Sequence, residues 1–98
     1  MHYTYVIESA RDGQWYTGAT SDLRARLRNH TNGQVRSTRH RRPLKLIYYE
    51  ACLNEADARR RELYLKSGKG KRYLRQRLAR WILENEPQAE ISNGTSVS

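Results

Sequence analysis

The 98-residue sequence contains a single cysteine, Cys52, and no phenylalanine. A lone cysteine excludes an intrachain disulfide and is typical of proteins in a reducing compartment, so we expect a cytoplasmic location. One cysteine and three scattered histidines also lack the ligand spacing of a structural zinc site. We expect Cys52 to be a small, partly buried side chain at the end of a strand rather than a nucleophile.

Long apolar runs are also missing. No segment approaches the roughly 18 apolar residues of a membrane-spanning helix, and we expect no secretory signal because the first residues lack a basic stretch and an apolar core.

Acidic residues are scarce, with 10 Asp and Glu against 19 Lys and Arg, giving a net charge of +9. Of the cations 15 are arginines, whose planar guanidinium matches phosphate oxygens two at a time. The sequence therefore favours nucleic acid over a membrane surface as the partner.

The length suits one compact domain, since domains usually have roughly 100–150 residues. We expect residues 1–86 to form this domain and the small, polar residues 87–98 to form a disordered tail. Residues 3–8 and 14–18 are rich in β-branched and aromatic types and predict a β-hairpin. A third strand is predicted over Leu44 to Glu50, with Leu44, Leu46 and Tyr48 on one face.

The remaining segments predict helices. Thr20 or Ser21 is expected to cap a first helix over residues 21–31, and Asn54 a second that ends before Ser67-Gly68. Apolar residues at helical spacing predict a third helix from about residue 72 to the residue before Pro87. The segment Gln34 to Pro43 is predicted to be an exposed basic loop. The order strand, strand, helix, strand, helix, helix is that of an α+β domain.

Two charged residues lie on helix faces that ought to be apolar. Arg26 lies beside the stripe of Leu23 and Leu27, where a surface arginine with a partly buried stem is one explanation. Glu62 shares a stripe with Ala58 and Leu65, where an ion pair with Lys66 at i+4 or Arg59 at i−3 is one explanation. A metal site is the other, because Mg²⁺ usually takes only one or two protein carboxylates and completes its shell with waters and substrate phosphate.

The sequence has seven tyrosines and no phenylalanine. Packing alone does not favour the hydroxyl group, so some of these rings are expected to use it. Tyr3 and Tyr5 point the same way on the first strand, and Tyr16 follows on the adjacent strand. A phenol near a metal-bound water suits a general base, whereas base stacking or sheet packing would explain the same residues without catalysis.

Four ordered motifs resemble the GIY-YIG nuclease superfamily, in particular its small stand-alone bacterial branch, also called URI-domain proteins. The motifs are Tyr3-Thr4-Tyr5, Tyr16-Thr17-Gly18, Leu23-x-x-Arg26-Leu27-x-x-His30 and Ala58-x-x-x-Glu62-x-x-x-Lys66. The resemblance covers roughly residues 2–75. It implies a three-stranded antiparallel sheet flanked by helices, and hydrolysis of a DNA phosphodiester with one divalent ion, Mg²⁺ or Mn²⁺.

By position, the resemblance implies a catalytic role for Tyr5, Tyr16, Arg26 and His30, and a metal-binding role for Glu62. Two motif positions depart from the family pattern, because Tyr3 stands in place of a glycine and Thr17 in place of an isoleucine. Many family members also carry an asparagine one to two dozen residues after the glutamate, and none occurs here between Glu62 and Glu84.

A further set of cations is predicted to contact the DNA backbone, and the alternative for each is a solvated basic surface. These are Arg36, Arg39, Arg41, Arg42, Lys66, Lys69, Lys71 and Arg72. Nothing in the sequence resembles a groove-reading module. The predicted endonuclease is therefore structure-selective or weakly sequence-specific, or directed by a protein partner, with a role in DNA repair or processing. The rival hypothesis is a non-catalytic DNA- or RNA-binding module on the same scaffold.

Overall fold

The structure is a computed structural model that describes residues 1–85. The predicted domain boundary at residue 86 and the predicted tail over 87–98 lie outside the described residues. In chain order the elements are β1 (His2–Ser9), β2 (Trp15–Thr20), α1 (Leu23–Thr31), a 3-10 turn (Arg39–Arg41), β3 (Leu44–Cys52), α2 (Glu55–Lys66), α3 (Gly68–Arg77) and α4 (Ala79–Asn85). The predicted α+β class is confirmed.

The three strands form one antiparallel sheet in the order β2-β1-β3. The expected antiparallel sheet is therefore confirmed, with β1 in the centre and β2 along one edge. In the hairpin, Tyr5 lies opposite Gly18 and Ile7 opposite Tyr16. Facing residues share a side of an antiparallel sheet, so Tyr5 and Tyr16 are diagonal neighbours on one face.

The hydrophobic core lies between the sheet and the helices α2 and α3. Val6, Leu65 and Leu74 are at most 1% exposed and contact one another there. Burying each such side chain stabilises the fold by about 1.5–3 kcal/mol. The opposite face of β1 meets α1, where the side chain of Tyr5 contacts that of His30. Helices therefore pack on both faces of the sheet, and the α1 face is covered only in part, since Tyr49 opposite Tyr5 is 54% exposed.

A β-bulge in β3 changes the predicted faces of that strand. Val6 pairs with Tyr48 and Ile7 pairs with Leu46, so Ile47 is an extra residue between the two pairs. The extra residue reverses the alternation of side chains. Tyr48 consequently lies on the Val6 side with the core, and the prediction that it shares a face with Leu46 was wrong.

The helix starts follow local capping. The side chain of Asn54 accepts from the backbone N–H groups of Ala56 and Asp57, which confirms the predicted start of α2. At α1 the cap is Asp22, whose carboxylate accepts from Ala25 N–H at 3.1 Å. The prediction of Thr20 or Ser21 was therefore wrong, and the first helix starts two residues later than expected.

The predicted third helix is two helices. The side chain of Ser67 accepts from Gly70 N–H, so α3 begins at Gly68, earlier than expected. Leu78, with φ −106° and ψ 19°, separates α3 from α4. Leu78 N–H still donates to Leu74 O at 2.8 Å, so the chain bends there while its hydrogen bonds continue. Among residues 1–85, no helix has the length and apolar character needed to cross a membrane.

Three contacts fix the rotation of α2 on the sheet. Thr4 on β1 donates its hydroxyl to Ala58 O at 2.9 Å, and Arg61 Nε contacts both carboxylate oxygens of Glu50 on β3 at 3.0 Å. Gly70 lies against the backbone of α2 so closely that an added Cβ would collide with Tyr64 O. These contacts turn the face of α2 that carries Ala58 and Leu65 inward, and Glu62 lies on that face.

Candidate active site at the edge of the sheet

A cavity of about 1280 Å³ lies along β2 and is lined by every residue of that strand. We call it the edge groove. Side chains from β1, α1, α2 and α3 also line it. Its volume exceeds the roughly 300–1,000 Å³ of typical small-molecule pockets, so an extended ligand suits it.

Tyr5 reaches the edge groove from the face of the sheet that meets α1. Its ring lies across Gly18 of the neighbouring strand, where an added Cβ would clash with the Tyr5 hydroxyl. Any other residue at position 18 would push the phenol out of place. The glycine of the second motif therefore makes room for the tyrosine of the first.

The Tyr5 hydroxyl is bonded to two of the predicted site residues. Its oxygen lies 2.8 Å from His30 Nε2, and Arg26 Nε–H donates to it at 3.4 Å. Arg26 is thus directed inward rather than into solvent. Tyr5, Arg26 and His30 also all line the edge groove. The structure brings these three residues together as the sequence predicted.

His30 is 5% exposed. Burial, with a smaller contribution from the Arg26 charge, lowers the pKa of this histidine below its ordinary value of 6.5. The imidazole is therefore neutral near pH 7 and keeps one nitrogen lone pair. A neutral imidazole bonded to a phenol is able to take the proton of that phenol.

Tyr16 lies on the same face of the sheet and lines the same groove. Within residues 1–85 its hydroxyl has no hydrogen-bond partner, in contrast to that of Tyr5. The Tyr16 phenol is therefore available to a ligand and has no neighbouring base.

Glu62 lines the groove from α2, which packs on the other face of the sheet. Its side chain is 18% exposed and forms an ion pair of 3.0 Å with Lys66. Arg59, the other predicted ion-pair partner, pairs instead with Glu55. Glu62 has no direct bond to Tyr5, Arg26 or His30 within the described residues. The structure places it in the shared groove, but not in their hydrogen-bond network.

The donor set tests whether a divalent ion fits. No group of three or more His, Cys, Asp or Glu side chains in residues 1–85 is arranged to hold a metal. Glu62 supplies one largely buried carboxylate with an ammonium group beside it. This fits a hydrated Mg²⁺ or Mn²⁺ that takes most of its ligands from water and phosphate, and it does not fit an ion held by protein ligands alone.

The predicted DNA-contacting cations are all exposed. Only two of them, Lys66 and Lys71, line the edge groove. In the basic loop, Arg41 forms an ion pair with Asp12 at 3.5 Å, and the guanidinium of Arg42 donates to the backbone carbonyls of Arg39 and Thr31. Arg36, Arg39, Lys69 and Arg72 are exposed and lie outside the groove lining.

Four residues of the groove with a charged, aromatic or hydrogen-bonding role were not predicted from the sequence. Arg59 and Arg75 line the groove with their charges, and Trp15 lines it beneath Arg75, whose guanidinium carbon lies 5.4 Å from the centre of the indole ring. The spacing of Lys71 and Arg75, one helical turn apart, was the available signal. The fourth is Thr38, whose Oγ1 lies 2.8 Å from His30 Nδ1. No local pattern connects these two residues.

Comparison with known proteins identifies the family of this chain. The family model of the GIY-YIG catalytic domain matches residues 1–77. A UPF0213 protein from Clostridium perfringens is 34% identical over 93 residues, which is 94% of this chain and 99% of that protein. A UPF0213 protein from Staphylococcus aureus is 36% identical over 84 residues, which is 85% of this chain and 95% of that protein. A UPF0213 protein from Bacillus halodurans, known from a solution NMR structure, has 30% sequence identity to this chain. The alignment covers 99% of this chain and 98% of that protein, with a TM-score of 0.48. The chain belongs to the GIY-YIG family.

Proposed function

We propose that this protein is a metal-dependent DNA endonuclease that hydrolyses phosphodiester bonds in the edge groove. The observation that carries the proposal is the bonded set of Arg26, Tyr5 and His30 in a groove that Glu62 also lines. A base, a cation and a carboxylate around one cavity are the groups that phosphodiester hydrolysis needs.

The hydrogen bonds favour Tyr5 over Tyr16 as the general base. In the proposed step, the oxygen of a water forms a bond to phosphorus while the bond from phosphorus to the leaving sugar oxygen breaks. The water proton passes to the Tyr5 oxygen, and the Tyr5 proton passes to His30 Nε2 over the 2.8 Å contact. The leaving oxygen takes a proton from solvent. Tyr16, with its free hydroxyl, orients the water or the phosphate.

Two residues are proposed to neutralise the negative charge of the reacting phosphate. Arg26 donates toward the reacting centre and stabilises the negative charge that develops on the phosphate oxygens. Glu62 would hold Mg²⁺ or Mn²⁺, whose chemistry when bound is to neutralise charge on a non-bridging phosphate oxygen. The ion pair with Lys66 would then open, and the freed ammonium group would contact the DNA backbone.

Substrate selection is proposed to depend on DNA shape. The groove cations Arg59, Lys66, Lys71 and Arg75 contact phosphates on the α2 and α3 side. The basic loop, with Arg36, Arg39, Arg41 and Arg42, contacts them on the α1 side. Phosphate contacts position the DNA without reading its sequence. We therefore propose a structure-selective or weakly sequence-specific enzyme of DNA repair or processing in the cytoplasm, with direction by a protein partner as the alternative source of specificity.

The test is a cleavage panel with the purified full chain on branched, single-stranded and duplex DNA, in Mg²⁺, in Mn²⁺ and in EDTA. The proposal predicts cleavage that requires the metal and differs among the DNA structures. Binding to all of these DNAs without cleavage in either metal would contradict it. The chain would then be a binding module, for which the Glu62–Lys66 ion pair would be a structural contact of α2.

A further inference from the structure

Thr38 is one of two buried residues in the basic loop, and the other is the apolar Val35. Thr38 is 2% exposed, while Arg36 and Arg39 on either side are exposed. Its Oγ1 lies 2.8 Å from His30 Nδ1 on the neighbouring helix α1. The hydroxyl therefore contacts the nitrogen of the histidine ring that faces away from Tyr5.

The loop backbone is held against the rest of the domain, which fixes the position of this hydroxyl. Ser9 of β1 donates its hydroxyl to Arg41 O at 2.7 Å, and the Arg11 guanidinium donates to His40 O at 2.8 Å. Thr38 N–H itself donates to Val35 O at 3.1 Å. A threonine placed by these contacts is a fixed partner for the imidazole.

The partners of the two ring nitrogens favour one tautomer of His30. The Tyr5 oxygen accepts from Arg26, so its own hydrogen is free to point at His30 Nε2. That bond requires an unprotonated Nε2, and a neutral imidazole then carries its proton on Nδ1. In this tautomer the N–H at Nδ1 would point at Thr38 Oγ1, 2.8 Å away, and the hydroxyl oxygen would accept it. The hydrogen bond at one ring nitrogen decides the protonation of the other.

We propose that Thr38 is a positioning residue that holds His30 in the Nδ1-protonated tautomer and thereby keeps Nε2 ready to receive the proton of Tyr5. This role rests on the proposed nuclease function. Because Thr38 belongs to the basic loop, a phosphate gripped by Arg36 or Arg39 would hold the same backbone that carries this hydroxyl.

The test combines NMR with kinetics on the full chain. The ¹⁵N chemical shifts of the His30 ring distinguish the two tautomers, and we expect the Nδ1-protonated form in the wild-type protein. Thr38→Val keeps the shape of the side chain and removes the hydroxyl, whereas Thr38→Ser keeps the hydroxyl. We expect Thr38→Val to shift the ring toward the Nε2-protonated form and to lower kcat by about 10- to 100-fold with little change in KM. Thr38→Ser is expected to keep the wild-type tautomer of His30 and a kcat close to that of the wild-type protein.

The outcomes separate this inference from the proposed function. A wild-type His30 protonated on Nε2 would overturn the role of Thr38 even in an active nuclease, and that measurement needs no variant to fold. A Thr38→Val protein with an unchanged tautomer and an unchanged kcat would also overturn it, because the residue would then serve packing alone. An inactive wild-type protein whose tautomer responds to Thr38→Val would support the assignment of the proton and contradict the nuclease proposal.

Discussion

The two faces of the sheet differ in what they bury. On the α2 and α3 side the buried cluster is apolar, formed by Val6, Leu65 and Leu74. On the α1 side the buried residues include His30 at 5% exposure and Thr38 at 2%. Within residues 1–85 every buried polar side-chain atom has a hydrogen-bond partner. Burial of apolar side chains stabilises a fold but does not depend on the orientation of the groups. Hydrogen bonds between polar groups fix the positions of specific atoms and add little net free energy to folding.

We expect the apolar face of the sheet to determine the stability of the fold and the polar face to determine its chemical activity. Changes on the apolar face should lower the free energy of unfolding, and changes on the polar face should mainly lower the rate of cleavage. Substitutions on each face, paired with a control residue of similar type, measure this separation on the same chain.

The largest effect is expected for Tyr5→Phe. The variant keeps the ring over Gly18 and removes the hydroxyl that bonds His30 and Arg26. Loss of a general base typically costs about 100- to 10,000-fold in rate, and we expect kcat for DNA cleavage to fall in that range. Tyr16→Phe is the control and should cost less, because that phenol has no bonded base. A larger loss in Tyr16→Phe would transfer the role of base to Tyr16.

Leu65→Ala tests the apolar face. Leu65 is 0% exposed, and its truncation should lower the free energy of unfolding by about 2–5 kcal/mol, measured by urea denaturation. The control is Leu63→Ala on the same helix, which is 68% exposed and should change stability by less than about 0.5 kcal/mol. Equal losses would mean that the face of α2 is assigned incorrectly.

Arg26→Ala should cost rate more than affinity. Removing one group that stabilises transition-state charge typically lowers kcat by about 100- to 1,000-fold, while the groove keeps its other cations. Arg24→Ala, at an exposed position of the same helix, is the control. Single-turnover kinetics beside a DNA-binding titration separate the two quantities. A weaker DNA affinity with an unchanged single-turnover rate would make Arg26 a binding residue.

The smallest effect is expected for Lys71→Ala. One phosphate contact fewer should weaken DNA binding modestly and reduce the slope of log K against log salt by about 1. Arg77→Ala on the same helix removes an equal charge outside the groove lining and should leave that slope nearly unchanged. Equal slopes for the two variants would place the DNA elsewhere on the surface.

Much of the fold followed from local sequence. The hairpin, the helix start at Asn54 and the break near Ser67 were predicted because turn and capping residues act on their immediate neighbours. The bulge at Ile47 and the bend at Leu78 were not predicted. Strand alternation assumes a register without extra residues, and no proline or glycine marks the bend.

The site was only partly readable from the sequence. Family motifs indicated Tyr5, Arg26 and His30, and the structure joins them. Thr38 was missed, because its role depends on a contact between a loop and a helix that no spacing rule describes. Glu62 was identified, but its ion pair with Lys66 is also the contact that a non-catalytic helix would form.

The most direct test of the central claim compares Glu62→Gln with Glu55→Gln. Both carboxylates lie on α2, line the edge groove and pair with a cation one helical turn away. The proposed site predicts that Glu62→Gln loses metal-dependent cleavage by at least about 100-fold while still binding DNA, and that Glu55→Gln cleaves normally. Equal cleavage by Glu62→Gln and the wild-type protein would contradict the assignment of this groove as a nuclease site.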